Sequence, residues 1–355
     1  MLSRNIISRA AGAAPRSAVR ALSTTAAQQS KTPSMGDINP NAKSIEKFNQ
    51  RQKQFRQQLV DAQKERDARA FEAKSPQAPP ASATDPNQSA STDGAGSTAE
   101  HKQPEPKKSG PLTNLIYGTK EGREMEAQLE ASFSQVLARG KYVHSIVHHE
   151  VKPDKVDEYV ALIGQWYPKM ANTPENKVHL VCSMRSEVGD CDTFVHIWEY
   201  QKYEGYHESR YNISHHPEFA AFDNQLKTLL VSKKISLMQE FSFWPTTPPR
   251  QLGGIFELRS YTLHPGNLLE WETHWRRGLQ ARREVMEGVG AWFVQIGDLN
   301  KVYHLWQFAN LEERRRRREE SWSVEGWSDT VHKTVPLIQE MKSTIMIPMP
   351  WSPVA

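Results

Sequence analysis

Cysteine is scarce in this chain, with only Cys182 and Cys191 among 355 residues. That density excludes a disulfide-stapled secreted scaffold, and two cysteines nine positions apart (191 − 182 = 9) do not form a zinc motif. Both are expected to be inert thiols in a reducing compartment. Long apolar runs are also missing. No stretch approaches 18 consecutive apolar residues, so no transmembrane helix is expected. Hydrophobic residues make up 37% and the mean hydropathy is −0.68, too little to sustain a packed core along the whole length. There is no Gly-rich phosphate loop, nucleophile elbow or carboxylate constellation. No cofactor and no metal are therefore expected.

Acidic residues are absent until Asp37. Residues 1–22 instead carry Arg4, Arg9, Arg16 and Arg20 among Leu2, Ile6, Ile7, Val19 and Leu22, which is the profile of a mitochondrial presequence. Arg20-Ala21-Leu22-Ser23 resembles a matrix-peptidase site, so the expected address is the mitochondrial matrix. The formal charge of +4 falls to 4 − 4 = 0 without that segment. A neutral remainder offers no electrostatic case for nucleic-acid binding.

Residues 23–111 read as a largely disordered extension. Within it, Ile45, Phe48, Phe55, Leu59 and Ala62 follow a helical spacing near 40–73, as a docking helix or a solvated one. Residues 74–110 are mostly Pro, Ser, Ala, Gly and charge, a composition that cannot offset its own ordering entropy. A helical lead-in is expected over 112–140, with Met125, Leu129, Phe133, Val136 and Leu137 on one side.

The rest reads as one unit written twice. Val195-His196-Ile197-Trp198-Glu199-Tyr200 is echoed by Tyr303-His304-Leu305-Trp306-Gln307-Phe308, offset by 108 (304 − 196), and Pro153 is echoed by Pro265, offset by 112 (265 − 153). Such self-similarity marks a duplicated structural unit. Period-2 and period-3.6 patterns alternate as βαββαβ over 141–244 and again over 250–350. The predicted strands are 142–151, 178–184, 193–200 and 234–241, then 255–263, 291–296, 302–308 and 343–349. Helices are predicted at 203–231 (broken near His216-Pro217) and at 310–341 (broken near Val335-Pro336). The fold class is α+β: two tandem ferredoxin-like repeats covering each other in a pseudo-symmetric barrel.

Several stretches resemble the NIPSNAP family. They are 136–144, the Val151-Lys152-Pro153 turn, Glu240-Phe241-Ser242-Phe243-Trp244, Phe256-Glu257-Leu258-Arg259-Ser260-Tyr261, His304-Leu305-Trp306, and 334–341 followed by Ile345-Met346-Ile347-Pro348. The resemblance runs from about residue 112 to the C-terminus. It implies a dimeric α+β-barrel fold, a mitochondrial address, and work through protein partners in mitochondrial quality control, including mitophagy through autophagy adaptors. It brings no catalytic residues. The extension over 23–110 and the basic run Arg314 to Arg318 depart from better-known members. A homo-oligomer is left open.

On alternating strands, His196 and Trp198, His304 and Trp306, and Arg259 and Tyr261 each share a face. Facing inward, these six would line a cavity able to take haem or a flat organic ligand, or to host monooxygenase-like chemistry. The plainer role for them is as core groups satisfied by neighbours. His148 and His149 face opposite ways and cannot easily share a metal. Arg314 to Arg318 wraps a full helical turn beside Glu312, Glu313, Glu319 and Glu320, giving either a compensated solvated helix or a contact for anionic lipid.

Overall fold

The computed structural model describes residues 32–74, 142–244 and 246–355. The expected presequence over 1–22, the Pro-rich stretch from 75 on and the expected lead-in helix over 112–140 lie outside the described residues. The chain falls into two compact units, 1–49 with 135–355 and 50–134. Helix α1, Ala42–Lys74, belongs partly to each. Its first turns are anchored within the larger unit, where Phe48 is buried and Asn49 Oδ1 accepts from Arg317 Nη2 at 3.2 Å. Met35 and Ile38 pack against the second repeat.

The first repeat runs β1 (Tyr142–Val151), α2 (Val156–Asn172), β2 (Val178–Val188), β3 (Thr193–Gln201), α3 (Lys202–Ser214), α4 (Phe219–Leu229) and β4 (Leu230–Glu240). The second runs β5 (Ile255–Leu263), α5 (Leu268–Val285), β6 (Glu287–Ile296), β7 (Lys301–Phe308), α6 (Leu311–Trp322), α7 (Trp327–Thr334) and β8 (Ile338–Pro348). Gly297, at φ 112°, supplies the left-handed residue that the β6–β7 hairpin needs. Several boundaries differ from the expected ones: β2 runs on to Val188 and β6 starts at Glu287, not at 291. Both β4 and β8 start earlier than predicted, at Leu230 and Ile338. The residues that open β8 carry exposed polar side chains, so period-2 alternation is masked there. Pro336 ends the helical course in a short 3-10 turn, and Ile338 pairs with Leu263.

Each repeat lays its strands in ferredoxin-like order, β4-β1-β3-β2 and β8-β5-β7-β6, all neighbours antiparallel. The outer strands then pair across repeats, β2 with β8 and β4 with β6, and the eight strands close into a barrel. Closure pairs every edge, which answers the hazard of an exposed strand.

Three apolar clusters show which face is which. One takes residues from all eight strands and none from a helix, including Ile146, Met184, Ile197, Met238, Leu258 and Leu305; it fills the barrel interior. The second lies between the outer face of the first repeat and α2 and α4, and the third between the outer face of the second repeat and α5. Both faces of every repeat are therefore buried. No helix among the described residues is long and apolar enough to cross a membrane.

Candidate functional site

The six residues expected to line an inward cavity do not face the lumen. Ile197 and Leu305 point into the barrel, so His196, Trp198, His304 and Trp306 point outward beneath the helices. Phe256 and Leu258 point inward on β5, which sends Arg259 and Tyr261 outward too. Period-2 alternation separates two faces, but when both are apolar it does not say which one closes on itself. Trp198 and Trp306 sit under the helix layers, while the lumen takes mainly Ile, Val, Met and Leu, with Trp292 as its one indole in that cluster.

Beneath α2, Ser183 Oγ lies 2.7 Å from His196 Nδ1, His196 Nε2 lies 2.8 Å from Tyr159 Oη, and Tyr159 Oη lies 2.8 Å from His149 Nδ1. All four side chains are fully buried. Burial, reinforced by His149 and by the neighbouring His148, holds His196 well below the usual imidazole range. Burial, with Lys233 and His148 adding to it, lowers His149 to about 3. Burial also pushes the Tyr159 phenol far up. The network is thus neutral near pH 7. Ser183 beside His196 has the look of a nucleophile and its base, but Tyr159 occupies the far nitrogen and the site is sealed from substrate.

The second repeat holds the counterpart. By the 112-residue offset Tyr261 takes the place of His149 and Trp271 that of Tyr159. The rings of Tyr261 and His304 meet at 5.0 Å, as those of His149 and His196 meet at 5.4 Å. Trp306 Nε1 donates to His304 Nδ1 at 2.6 Å. Burial, then the charges of Arg259 and Arg282, keeps His304 well below the usual imidazole range. Arg259 Nε donates to Tyr261 Oη at 2.7 Å and its Nη1 to Glu257 Oε1 at 2.7 Å. Glu257 also accepts from Arg314 Nε at 2.9 Å, Arg314 Nη2 at 2.7 Å and Ser343 Oγ at 2.6 Å. Burial opposes ionisation of Glu257, but Arg314 and Arg259 overcome it and hold the carboxyl far below its usual range.

Within the basic run, Arg314 serves Glu257, Arg315 bridges Glu312 and Glu319, Arg316 lies 3.7 Å from Glu320, and Arg317 pairs with Glu313 and Glu320. Cys182 is buried and Cys191 exposed, both as free thiols, and burial pushes Cys182 up to about 12. Trp198 does border a cavity, though one outside the barrel. It measures about 100 Å³ and is lined by Trp166, Tyr167, Trp198, Tyr200, Tyr206 and Arg210, among others. Ligand sites usually start at about 300 Å³.

One polar cluster escaped sequence reasoning. His144 on β1 pairs directly with Glu199 on β3 and with Met238 on β4, two residues before Glu240. All three polar side chains point into one end of the barrel. His144 Nε2 lies 3.3 Å from Glu199 Oε2 and 3.5 Å from Glu240 Oε1, and ligand-capable atoms of the three lie within 4.8 Å of one another. His144 is completely buried, and neither ring nitrogen makes a hydrogen bond. An orphaned buried polar group costs about 1–3 kcal/mol. Glu199 and Glu240 keep 23% and 17% side-chain exposure, so the cluster reaches solvent through its carboxylates. The three are 55 and 41 positions apart (199 − 144 and 240 − 199), beyond any local motif. The only signal was a His or Glu in register with the inward-facing Ile146, Ile197 and Met238.

Comparison with known proteins gives a consistent family. The sequence model described as NIPSNAP matches twice, over residues 145–245 and 256–353. NipSnap homolog 1 of Danio rerio is 39% identical over 212 residues, which are 59% of this chain and 76% of that protein. NipSnap homolog 2 of Homo sapiens is 37% identical over 212 residues, 59% of this chain and 74% of that one. The NipSnap protein of Drosophila melanogaster is 31% identical over 236 residues, 65% of this chain and 85% of its own.

Proposed function

The chain belongs to the NIPSNAP family, and on that premise we propose that it is a non-catalytic mitochondrial protein acting through protein partners in mitochondrial homeostasis and quality control, mitophagy included. The observation that carries the reading is the condition of its reactive groups. His149, Tyr159, His196 and Ser183 bond to one another under a helix, and Arg259, Tyr261 and Glu257 do the same in the second repeat. What the helix layers turn outward is contact surface, with Tyr211 and Trp322 at 63% and 55% exposure. The Arg-bearing, acid-free residues 1–22 support a matrix address.

The test is affinity purification from mitochondria with the full chain and with a chain lacking residues 23–111. The expected result is a set of mitochondrial or autophagy proteins retained by at least one form, and altered mitochondrial turnover when the gene is disrupted. No retained partner together with unaffected mitochondria defeats the reading. For the rival barrel chemistry, monooxygenase-like or haem-binding, the cavity beside Trp198 offers about 100 Å³. A Soret band gained on adding haem to the purified protein would favour it. Contact of Arg314–Arg318 with anionic lipid is a lesser addition to the proposal, since four of these five residues already face carboxylates. Co-sedimentation with anionic vesicles measures it.

A further inference from the structure

We propose that His144, Glu199 and Glu240 bind a divalent transition-metal cation of the Zn(II) type at one end of the barrel. The donor set is one imidazole and two carboxylates. No thiolate is present, which argues against soft Cu(I), and the imidazole disfavours Ca(II) and Mg(II), which prefer all-oxygen sites. The spacing fits as well. Zinc–ligand bonds of about 2.0–2.1 Å at tetrahedral angles separate ligand atoms by about 3.3–3.4 Å, and octahedral angles by about 2.8–3.0 Å. The imidazole nitrogen lies 3.3 and 3.5 Å from the two carboxylate oxygens. Three protein ligands leave a fourth position for water, and the partly exposed carboxylates supply the entry path.

Two further observations separate this cluster from ordinary core polarity. The ring of His144 is fully buried with both nitrogens lacking a hydrogen bond, yet it is aimed between two carboxylates. Its only ring neighbour of note is Trp292, 6.0 Å away, which packs it without satisfying it. Glu240 Oε1 is itself held, accepting from the Thr246 backbone N–H at 2.7 Å, which fixes the carboxylate as an outer-shell contact would.

The duplication provides an internal control. Phe256 pairs with Gln307 as His144 pairs with Glu199, and with Met346 as His144 pairs with Met238. Two residues on from Met346 stands Pro348, where the first repeat has Glu240. The same three positions are thus Phe, Gln and Pro in the second repeat. At that end of the second repeat Gln307 pairs instead with Glu287, whose carboxylate is already held by Arg250 Nη1, so the fold closes there without a histidine and with its nearest carboxylate ion-paired.

The full chain, stripped with chelator, is titrated with Zn(II) by calorimetry, with Ca(II) and Mg(II) as controls, and with Co(II) followed by visible absorption. One tight Zn(II) equivalent is expected, with Co(II) giving the intense bands of a tetrahedral site. Loss of an outer-shell partner weakens metal binding about 10–100-fold, so removing two ligands should exceed about 100-fold. The double variant Glu199→Gln with Glu240→Gln keeps side-chain shape, and circular dichroism checks that it folds. His144→Ala should behave alike. The proposal is overturned if the wild-type chain takes up no Zn(II), if the equivalent survives unchanged in the double variant, or if nuclear magnetic resonance finds His144 as an imidazolium bridging both carboxylates with no metal uptake.

Discussion

Replacing Glu257 with Gln tests the second repeat's polar core most directly. Gln keeps the shape but removes the charge that Arg259 and Arg314 share, and turns an amide NH2 towards guanidinium donors. Breaking a buried ion pair from one side costs about 3–5 kcal/mol. Arg314 retains 24% side-chain exposure and Arg259 12%, so solvent recovers part of the loss, mostly at Arg314. The lower end, about 3 kcal/mol, is therefore expected, against a typical total of about 5–15 kcal/mol. With a urea slope of about 2–3 kcal/mol/M the midpoint should fall by about 1–1.5 M. The pH dependence supplies a second readout. Because the folded carboxyl titrates below its unfolded value, the stabilisation is complete above the unfolded value of about 4.3 and declines as pH falls towards the folded one. Wild type and variant should accordingly begin to converge below about pH 4.3, the gap narrowing steadily as the pH falls further. A midpoint shift smaller than about 0.3 M at pH 7, or a gap that does not narrow on acidification, would refute the reasoning.

Two further substitutions probe packing beneath the helices. Tyr159→Phe leaves one nitrogen each of His149 and His196 without its partner, at about 1–3 kcal/mol apiece, so thermal or urea unfolding should report a loss of about 2–6 kcal/mol; an unchanged midpoint would mean the network is not formed. Gly278 lies where α5 meets α7, and a Cβ there would overlap the Thr330 side chain. Gly278→Ala should therefore destabilise by about 1–3 kcal/mol despite the better helix propensity of Ala, and pairing it with Thr330→Ala, which removes the Oγ1 nearest the new Cβ together with Cγ2, in a double-mutant cycle should recover part of that.

The strands most readable from sequence were those with strong β-branched and aromatic content. Tyr142–Val151 and Ile255–Leu263 form over the range their patterns indicate. The start of β8 was not readable, because Gln339, Glu340 and Lys342 give it no alternation and its strand character comes from pairing with β5. Helix α1 does form, although its thin stripe left its state open. For the site, the sequence marked the outward face, where His196 and His304 stand beside tryptophans, and passed over the inward one.

The sequence by itself determined the duplication, the βαββαβ order and the partition of each strand into two faces, because these depend on local periodicity and self-similarity. Only the tertiary structure decided which face became the lumen, because both faces are apolar and barrel closure is a property of eight strands together. It also decided that His144, Glu199 and Glu240 meet. Their proximity arises from the register of β1 against β3 and β4, and no spacing along the chain encodes that register.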